Sequence, residues 1–414
     1  IKNHWELMKM FLSELIGIED AFKIIRNNQK VKEYETISLE DAYLRVLGED
    51  IYSYHDSPPF DKSAMDGYAL IAKDTFSASN NNPITITIID EIRAGDFSEK
   101  EVHDCEGIKI STGAPIPKGA DGVLMEEFTI ANGNNLEIYS QVTPMENIAP
   151  KGEDIKKDDK ILDKAILLKP STIGLIASAG YDKVKVYKKP KIKLITTGDE
   201  LVEPSKTLEK AHIINSNKYI ISNMIKSLGC IVEIDYCKDN KDEVKIAILK
   251  ASKECDIILT TGGTAISKGD VVVDAVELIG EILFHGVAIR PGKPFAFGKV
   301  NETPIFMLSG NPSAAMTQFD IFIRKYIFEI QGLKYNPSIL KRISKVKIPS
   351  NLGRTDYIKV SSDDKHVNYS LNKGSGIIHS MVAGNSYLII DGNNEGIKKG
   401  DIADIIFFKA MELI

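Results

Sequence analysis

Three short glycine-containing segments of the sequence could bind a phosphate group. Residues 196–200 read TTGDE, residues 260–264 read TTGGT and residues 309–312 read SGNP, and each follows an apolar stretch. Glycine and small hydroxyl side chains let backbone N–H groups come close to an anion. One such loop alone is more often an ordinary turn, but three loops in one sheet favour a phosphate-type ligand. The candidate ligand-binding residues are Thr197, Gly198, Thr261, Gly262, Gly263, Ser309, Gly310, Asn311 and Pro312.

Three carboxylates stand at the end of a predicted strand or beside a glycine turn: Glu200, Asp239 and Asp270. Carboxylates gathered near phosphates usually hold Mg²⁺, a hard cation that prefers oxygen ligands and keeps several waters. Asp239 and Asp270 also precede predicted helices, where either could instead serve as the N-cap. The sequence leaves both roles open for these residues.

Two cations lie three residues apart in the segment RPGKP, residues 290–294. Arg290 and Lys293 have long side chains on a turn stiffened by prolines, which makes a suitable clamp for an oxyanion. The alternative is a plain surface turn. The prolines and the apolar run FAFG that follows make this alternative less favoured than usual.

These residues need a sheet whose strand ends lie at one edge. Between residues 171 and 332, apolar strands alternate with helical patterns, which predicts an α/β fold with a parallel sheet covered by helices on both faces. Asn311 and Pro312 also predict the start of a helix directly after the third loop, as N-cap and first helical residue. That helix would direct its N-terminus at the site.

The flanking segments have different patterns. Residues 83–144 and the chain after residue 337 alternate short apolar runs with turns, which predicts a β-rich unit and a C-terminal barrel or sandwich. Residues 18–28 and 39–47 are predicted to be short amphipathic helices. The polar residues 145–169 are predicted to form an extended connection that pairs back with these helices.

The segment PFDKSAMDGYA, residues 59–69, fits neither an amphipathic helix nor an alternating strand. It combines small residues, a glycine and two aspartates, one of which is Asp66. A stretch of this kind is more often a binding loop than a packing element. The residues alone therefore predict a protein that binds a phosphorylated ligand with the help of a metal.

Composition excludes several other classes of protein. The net charge of −6 and the lack of a basic tract argue against a nucleic-acid partner. No run approaches the ~20 apolar residues that span a bilayer, and no signal peptide is evident, so we expect a cytoplasmic protein without a membrane. The four cysteines and His285 lack zinc-ligand spacing and are expected to be structural.

Seven segments together resemble the molybdopterin molybdenumtransferase family, which includes the C-terminal domain of gephyrin. In chain order they are PPFDKSAMDGYA, STGAP, NIAPKGEDI, TTGDEL, TTGGTAISKGD, VAIRPGKPFAFG and LSGNPSAA. SAMDGYA and PGKPFAFG together are highly specific for the family. The resemblance covers roughly residues 15–410, which is nearly the whole chain.

The resemblance implies an elongated homodimer of four-domain subunits. The domains would comprise residues 1–54 with 145–175, residues 55–144, an α/β domain at 176–334 and a barrel at 335–414. The implied reaction joins molybdate to adenylylated molybdopterin, giving molybdenum cofactor and AMP with Mg²⁺. Transient contacts with the adenylyltransferase and with molybdoenzyme maturation proteins are also implied. The family's functional positions correspond to Asp66, Thr112, Glu200, Asp239, Asp270, Arg290 and Lys293.

Two other functions compete with this interpretation. The adenylyltransferase that makes the adenylylated pterin would share the α/β domain, but it would need neither the SAMDGYA unit nor a C-terminal barrel. A non-catalytic scaffold is the second alternative, and the retained acidic and basic residues argue against it. The sequence leaves open whether molybdate or tungstate is used.

Overall fold

A six-stranded sheet, here called the central sheet, organises the α/β part of the protein. The computed structural model describes residues 15–30, 33–263, 270–369 and 378–408. Thr264 and the segment AISKG that follows it therefore lie outside the described residues. In spatial order, the strands of the central sheet are Ile231–Cys237, Lys191–Thr197, Ile257–Thr261, Thr303–Leu308, Ala296–Val300 and Glu281–His285.

The central sheet is mixed, whereas the sequence predicted a parallel sheet. The first four strands are parallel, and the last two pair antiparallel. The reason is the connection between Ala296–Val300 and Thr303–Leu308, which consists of Asn301 and Glu302 with φ of 49° and 62°. A two-residue turn with positive φ joins antiparallel strands, because parallel strands need a much longer crossover.

Helices cover both faces of the central sheet, as predicted for the α/β fold class. In the strand Lys191–Thr197, Ile192 and Leu194 belong to one hydrophobic core and Ile195 belongs to the other. The first core is covered by the helices Ile18–Asn27 and Ser216–Ser227 and by the continuous helical run Pro312–Gln318, Phe319–Ile323 and Arg324–Ile330, whose middle part is a π-helix. The second is covered by Lys241–Glu254 and Val271–Ile279.

The N-terminal segment contains one of the two helices predicted for it. The predicted helix at 18–28 is present as Ile18–Asn27, but the predicted helix at 39–47 is wrong. Only a 3₁₀ turn, Leu39–Asp41, forms there. Leu44 has a φ of 57°, outside the helical region, and Leu47 donates its N–H to the Ile166 carbonyl at 2.9 Å. Pairing with a distant strand-like segment thus replaces local helix formation.

The polar connection at 145–169 pairs back with earlier strands, not with helices. Ile148–Ala149 pairs with Lys62–Ser63, and Lys160–Leu162 pairs with Ile51–Tyr52. Nearby, Tyr34–Ser38 pairs with Lys183–Tyr187, which follows the helix Pro170–Ser178. The predicted pairing of residues 145–169 with the N-terminal part of the chain is confirmed, but the partners are strands and not the predicted helices.

A second six-stranded sheet forms the β-rich unit predicted for residues 83–144. Its strands, in spatial order, are Gly122–Met125, Gly67–Leu70, Glu106–Ile110, Ile84–Ile92, Asn135–Ile138 and Thr129–Asn132. The end of the SAMDGYA segment is thus a strand inside this sheet, and only residues 64–66 form a loop between it and the short strand Lys62–Ser63. A Cβ at Gly67 would lie 2.0 Å from the Leu124 carbonyl oxygen, so the pairing requires glycine there.

Five strands near the C-terminus close into a barrel, which is one of the two forms that the sequence predicted. Thr355–Ser362 pairs with both His366–Tyr369 and Ser386–Ile390, which closes the ring. The other two strands are Leu340–Ser344 and Ile402–Phe407. Ile289–Arg290 adds to Thr355–Ser362 as a parallel extension, while Ile348–Pro349 pairs with Gly396–Ile397 and a short helix spans His379–Ala383.

Buried polar contacts fix the barrel to the helical run that follows the third glycine loop. Lys359 Nζ donates to Ser313 Oγ at 2.6 Å, and the Tyr387 hydroxyl donates to Asp320 Oδ2 at 3.1 Å. Asp320 also pairs with Arg324 at 2.7 Å. Burial lowers the pKa of Lys359 to about 7. The start of this helical run is therefore supported from the barrel side.

Across the part of the chain that the structure describes, no helix has the length and apolar character required to cross a membrane.

Candidate functional site

A cleft of about 540 Å³ opens at the edge of the central sheet where three parallel strands end. These strands are Lys191–Thr197, Ile257–Thr261 and Thr303–Leu308. Ligands of such sheets bind outside the carboxyl ends of the strands. The predicted site residues that line the cleft are Thr197, Gly198, Glu200, Asp239, Thr261, Gly262, Gly263, Asp270, Ser309, Gly310, Asn311 and Pro312.

Backbone contacts between the glycine loops set the shape of the cleft. Gly262 has a φ of 96°, and a Cβ there would lie 2.3 Å from the Thr197 carbonyl oxygen. A Cβ at Gly310 would lie 3.5 Å from the Gly262 Cα atom. A side chain at Gly262 would therefore collide with the first loop in a conformation that is already unfavourable for it.

The third loop leads directly into a helix, as predicted. Asn311 occupies the N-cap position and Pro312 lies in the first turn, but the Asn311 side chain makes no capping hydrogen bond. Its backbone N–H instead donates to Ser309 Oγ at 3.3 Å. The predicted helix start at Asn311 and Pro312 is thus confirmed, but the Asn311 side chain does not cap the helix.

Asp270 is both a helix cap and a wall of the cleft. Its Oδ1 accepts hydrogen bonds from the N–H groups of Val272 and Val273 at 3.2 and 3.1 Å. Its Oδ2 is buried and has no hydrogen-bond partner among the described residues. Burial raises the pKa of Asp270 to about 7, and the two backbone hydrogen bonds only partly oppose this. The Asp270 carboxyl therefore changes between its neutral and its charged form near neutral pH.

The other two carboxylates differ from Asp270 in their surroundings. Asp239 does not cap the following helix, because Asn240 accepts the N–H groups of Asp242 and Glu243 instead. Asp239 and Asp199 exchange backbone-to-carboxylate hydrogen bonds of 3.2 and 3.4 Å. Glu200 also lines the cleft. Within the described ranges, no three His, Cys, Asp or Glu side chains are close enough to hold a metal by themselves.

Neither of the two predicted cations, Arg290 and Lys293, is among the residues that line the cleft. Arg290 lies outside the cleft lining, and its guanidinium forms a two-pronged ion pair with Asp356 of the barrel, which is 1% exposed. Removing Arg290 would leave a buried carboxylate without its partner, which is costly. The loop that carries Lys293 contacts the cleft through Pro294.

One buried amide ties this cationic loop to the third glycine loop. Gln318 Oε1 accepts the N–H of Ser309 at 2.9 Å, and its Nε2 donates to the carbonyl oxygen of Gly292 at 2.8 Å. A further bond of 3.3 Å reaches the Pro294 carbonyl oxygen. The position of the loop around Lys293 is therefore coupled to the position of the loop at 309–312.

Asp66 and Thr112 lie together, away from the cleft of the same chain. Asp66 Oδ1 accepts the N–H of Thr112 at 2.8 Å in an exposed region of the second sheet. Neither residue is part of the cleft lining. The chain thus presents two separate groups of predicted functional residues.

Several polar residues of this site were not predicted from the sequence. Asn215 and Asn217 begin the helix Ser216–Ser227 and line the cleft, and Gln318 lies buried behind it. The NSN triplet after an apolar pair was a signal for a helix start, but not for which side chains face a ligand. Gln318 interrupts an apolar helical run, and a buried amide of this kind needs hydrogen-bond partners.

Three family models together match almost the whole chain. Residues 16–180 match the MoeA N-terminal region (domain I and II), and residues 341–408 match the MoeA C-terminal region (domain IV). Between them, residues 193–329 match the family described as "Probable molybdopterin binding domain". The cleft described above lies within this middle match.

Relatives of similar length decide the assignment. A molybdopterin molybdenumtransferase of Staphylococcus aureus (strain COL) is 35% identical over 401 residues, which is 94% of this chain and 95% of that protein. The chain belongs to the molybdopterin molybdenumtransferase family. It is accordingly a transferase of molybdenum cofactor biosynthesis, as the resemblance implied.

Two further members of this family are similar over the same extent. A protein of Methanocaldococcus jannaschii, provisionally named as a molybdopterin biosynthesis protein, is 39% identical over 418 residues, or 99% of each chain. The crystal structure of a molybdopterin biosynthesis MoeA protein from Pyrococcus horikoshii OT3 has a TM-score of 0.81 and 34% identity, covering 95% of this chain and 100% of that one. The multidomain α/β fold with its C-terminal barrel is thus shared with a solved structure of similar length.

The raised pKa of Asp270 predicts a pH-dependent cost in stability. A carboxyl whose pKa is higher in the folded state stabilises the fold at low pH, and this contribution is lost as the pH rises from about 4 to about 7. Asp270→Asn keeps an N-cap residue and cannot ionise. Relative to this variant, the wild type should lose up to about 1 kcal/mol of unfolding free energy per pH unit in that window.

Urea unfolding in chelator-containing buffer between pH 4.5 and 8 measures this difference. The matched control is Asp242→Asn, which changes a carboxylate that is 86% exposed at the start of another helix. A stability difference between wild type and Asp270→Asn that stays constant with pH would contradict the assignment.

Proposed function

We propose that this enzyme inserts molybdate into adenylylated molybdopterin, giving molybdenum cofactor and AMP, with Mg²⁺ as the metal. The observation that carries the proposal is the meeting of three glycine loops in one cleft with Asp270, whose Oδ2 has no hydrogen-bond partner among the described residues. A substrate that contains a pyrophosphate linkage needs backbone donors for its phosphates and a cation to offset their charge. Family membership supports the chemical class, the glycine loops would supply the donors, and the carboxylates of the cleft would bind the cation.

The three loops are the elements that bind the substrate's phosphates in this proposal. The backbone at Gly262, Gly263 and Gly310 has no side chain in the way of a close approach. The helical run that begins at Pro312 adds the partial positive charge of its N-terminus. The dithiolene sulfurs belong to the substrate, so the enzyme needs no cysteine of its own.

The donor set fits a magnesium ion. Mg²⁺ is usually bound through one or two carboxylates together with substrate phosphates and waters. Asp270 offers a buried oxygen without a partner among the described residues, and Glu200 and Asp239 add carboxylates on the same cleft. Bound Mg²⁺ would neutralise charge on the pyrophosphate and polarise the linkage that breaks.

The cationic loop serves the oxyanion in this proposal. Lys293 would meet molybdate or phosphate oxygens, and Arg290, whose charge is paired with that of Asp356, would anchor the loop. Gln318 keeps this loop in register with Ser309 and its neighbours. Molybdate would thus be held next to the phosphates and close to the dithiolene.

Metal-dependent AMP release is the direct test of the reaction. Purified protein with adenylylated molybdopterin and molybdate should release AMP, and the product should restore activity to a molybdoenzyme that lacks its cofactor. Excess chelator should abolish AMP release, and added Mg²⁺ should restore it, because the phosphates would otherwise face the acidic cleft without a cation.

Full activity in excess chelator would exclude the proposed role of the metal. ATP-dependent adenylylation of molybdopterin serves as the second assay, because that activity would identify the adenylyltransferase instead. A protein that releases no AMP and restores no molybdoenzyme would favour a scaffold.

We propose that Asp66 and Thr112 act on the cleft of a second subunit in a homodimer. Within one chain they lie outside the cleft lining, although the resemblance to the family implies a functional role for both. A twofold dimer would bring the Asp66 loop of each subunit against the cleft of the other and create two equivalent sites. Contacts with the adenylyltransferase and with maturation proteins would be transient.

A mixing experiment tests whether the site is shared. Asp66→Ala and Asp270→Ala homodimers should each be nearly inactive. In a mixed dimer, sharing between subunits places both lesions in one site and leaves the other intact, so activity should return to about half of the wild-type value per dimer. The measurement is AMP release by heterodimers purified through two different tags.

If each site is instead formed within one subunit, every site of the mixed dimer carries a lesion. Activity at the level of the parent homodimers would therefore rule out sharing. Heterodimers of wild type with Asp270→Ala provide the control for the effect of the tags.

A further inference from the structure

Asn217 has a buried acceptor atom without a partner at the wall of the cleft. It is the second residue of the helix Ser216–Ser227, and it is 7% exposed. Its Oδ1 has no hydrogen-bond partner among the described residues. Buried amide oxygens in folded proteins are nearly always paired, so this atom points to a ligand.

The orientation of the Asn217 amide follows from its other end. Nδ2 donates to the carbonyl oxygen of Gly310 at 2.8 Å, and the reverse orientation would set two acceptors against each other. The Oδ1 atom is therefore the free end, and the amide is held by the third glycine loop itself. A ligand that binds this loop meets Asn217 in a fixed geometry.

Helix capping does not account for the unpaired oxygen. The neighbouring Asn215 performs that task, because its Oδ1 accepts the N–H of Lys218 at 3.1 Å. Asn215 also donates from Nδ2 to Thr196 Oγ1 at 2.9 Å, so both of its ends are used. Of the two asparagines at this helix start, Asn217 is the one whose side-chain oxygen has no partner among the described residues.

We propose that Asn217 Oδ1 accepts a hydrogen bond from a neutral N–H or O–H group of the substrate and so determines specificity. This inference rests on the proposed function, because it assigns the part of the substrate that is not phosphate. An amide oxygen carries partial negative charge and repels phosphate and molybdate oxygens. The matching groups on adenylylated molybdopterin are the N–H groups of the pterin, the ribose hydroxyls and the adenine amino group.

A buried acceptor such as Asn217 Oδ1 can distinguish ligands that have a matching hydrogen-bond donor from ligands that lack one. A ligand without the matching donor would keep Oδ1 buried and without a hydrogen bond, which disfavours its binding. The glycine loops recognise phosphates in general, and Asn217 would add the preference for one heterocycle or sugar. Phosphate binding and substrate identity are then read by different atoms of the same cleft.

Calorimetric binding to Asn217→Leu tests the inference. The probes are AMP, analogues of AMP that each lack one donor (2′-deoxy, 3′-deoxy and 6-desamino) and adenylylated molybdopterin, all with Mg²⁺. The matched control is Asn223→Leu on the same helix, since exposed Asn223 donates only to the Tyr219 carbonyl oxygen, at 2.7 Å. Loss of the hydrogen bond should weaken binding about tenfold.

Two results would support the inference, and they differ in the location of the donor. If Asn217→Leu weakens AMP binding about tenfold but leaves binding of one analogue unchanged, the missing group of that analogue is the donor. If AMP binds equally to both proteins and only adenylylated molybdopterin binds more weakly, the donor belongs to the pterin. Asn223→Leu should match the wild type throughout.

Other results would overturn it. Equal affinities of wild type and Asn217→Leu for every probe exclude the contact, and equal weakening for AMP and all analogues indicates a merely structural role. A shift only in the Mg²⁺ concentration required for binding would make Asn217 a metal ligand instead. If the wild type releases AMP normally and these outcomes occur, only this inference fails. A wild type that binds neither AMP nor adenylylated molybdopterin would overturn the proposed function as well.

Discussion

The shared edge at which three parallel strands end is the constraint on which the site depends. Because parallel strands have the same direction, the loops after Lys191–Thr197, Ile257–Thr261 and Thr303–Leu308 meet although they are far apart in sequence. Gly262 brings two of these loops so close that a Cβ would touch the Thr197 carbonyl oxygen. The cleft is thus defined mainly by backbone, and side chains such as Asp270 and Asn217 are added to a rigid frame.

This frame holds polar atoms that the fold itself does not satisfy. Asp270 uses one oxygen to cap a helix and keeps the other buried without a partner among the described residues. Its raised pKa reports the cost of burying the charge. Binding sites commonly retain such costs, because a group that is already paired cannot bind a ligand. The barrel supports the same region through Arg290 with Asp356 and Lys359 with Ser313.

Features set by local sequence were predictable, and features set by distant partners were not. The glycine loops and the helix start at Pro312 follow from short-range patterns, and the family segments gave the assignment. The helix expected at 39–47 failed because residues 46–47 pair with residues 166 and 187, far along the chain. Likewise, the sequence around Arg290 does not reveal that its partner is Asp356, which is 66 residues away in the chain. The orientation of the Asn217 amide follows from its hydrogen bond to Gly310, which is also distant in the sequence and visible only in the fold.

We propose that the buried Asp270 carboxyl, largely protonated below neutral pH, binds a cation that arrives with a nucleotide. Calorimetric titration of Mg²⁺ into protein with AMP at pH 6, in buffers of different ionisation enthalpy, counts the protons released on binding. The wild type should release about one proton more per site than Asp270→Asn, because the metal displaces the proton of a group whose pKa is about 7. Equal proton release by the two proteins would contradict the account.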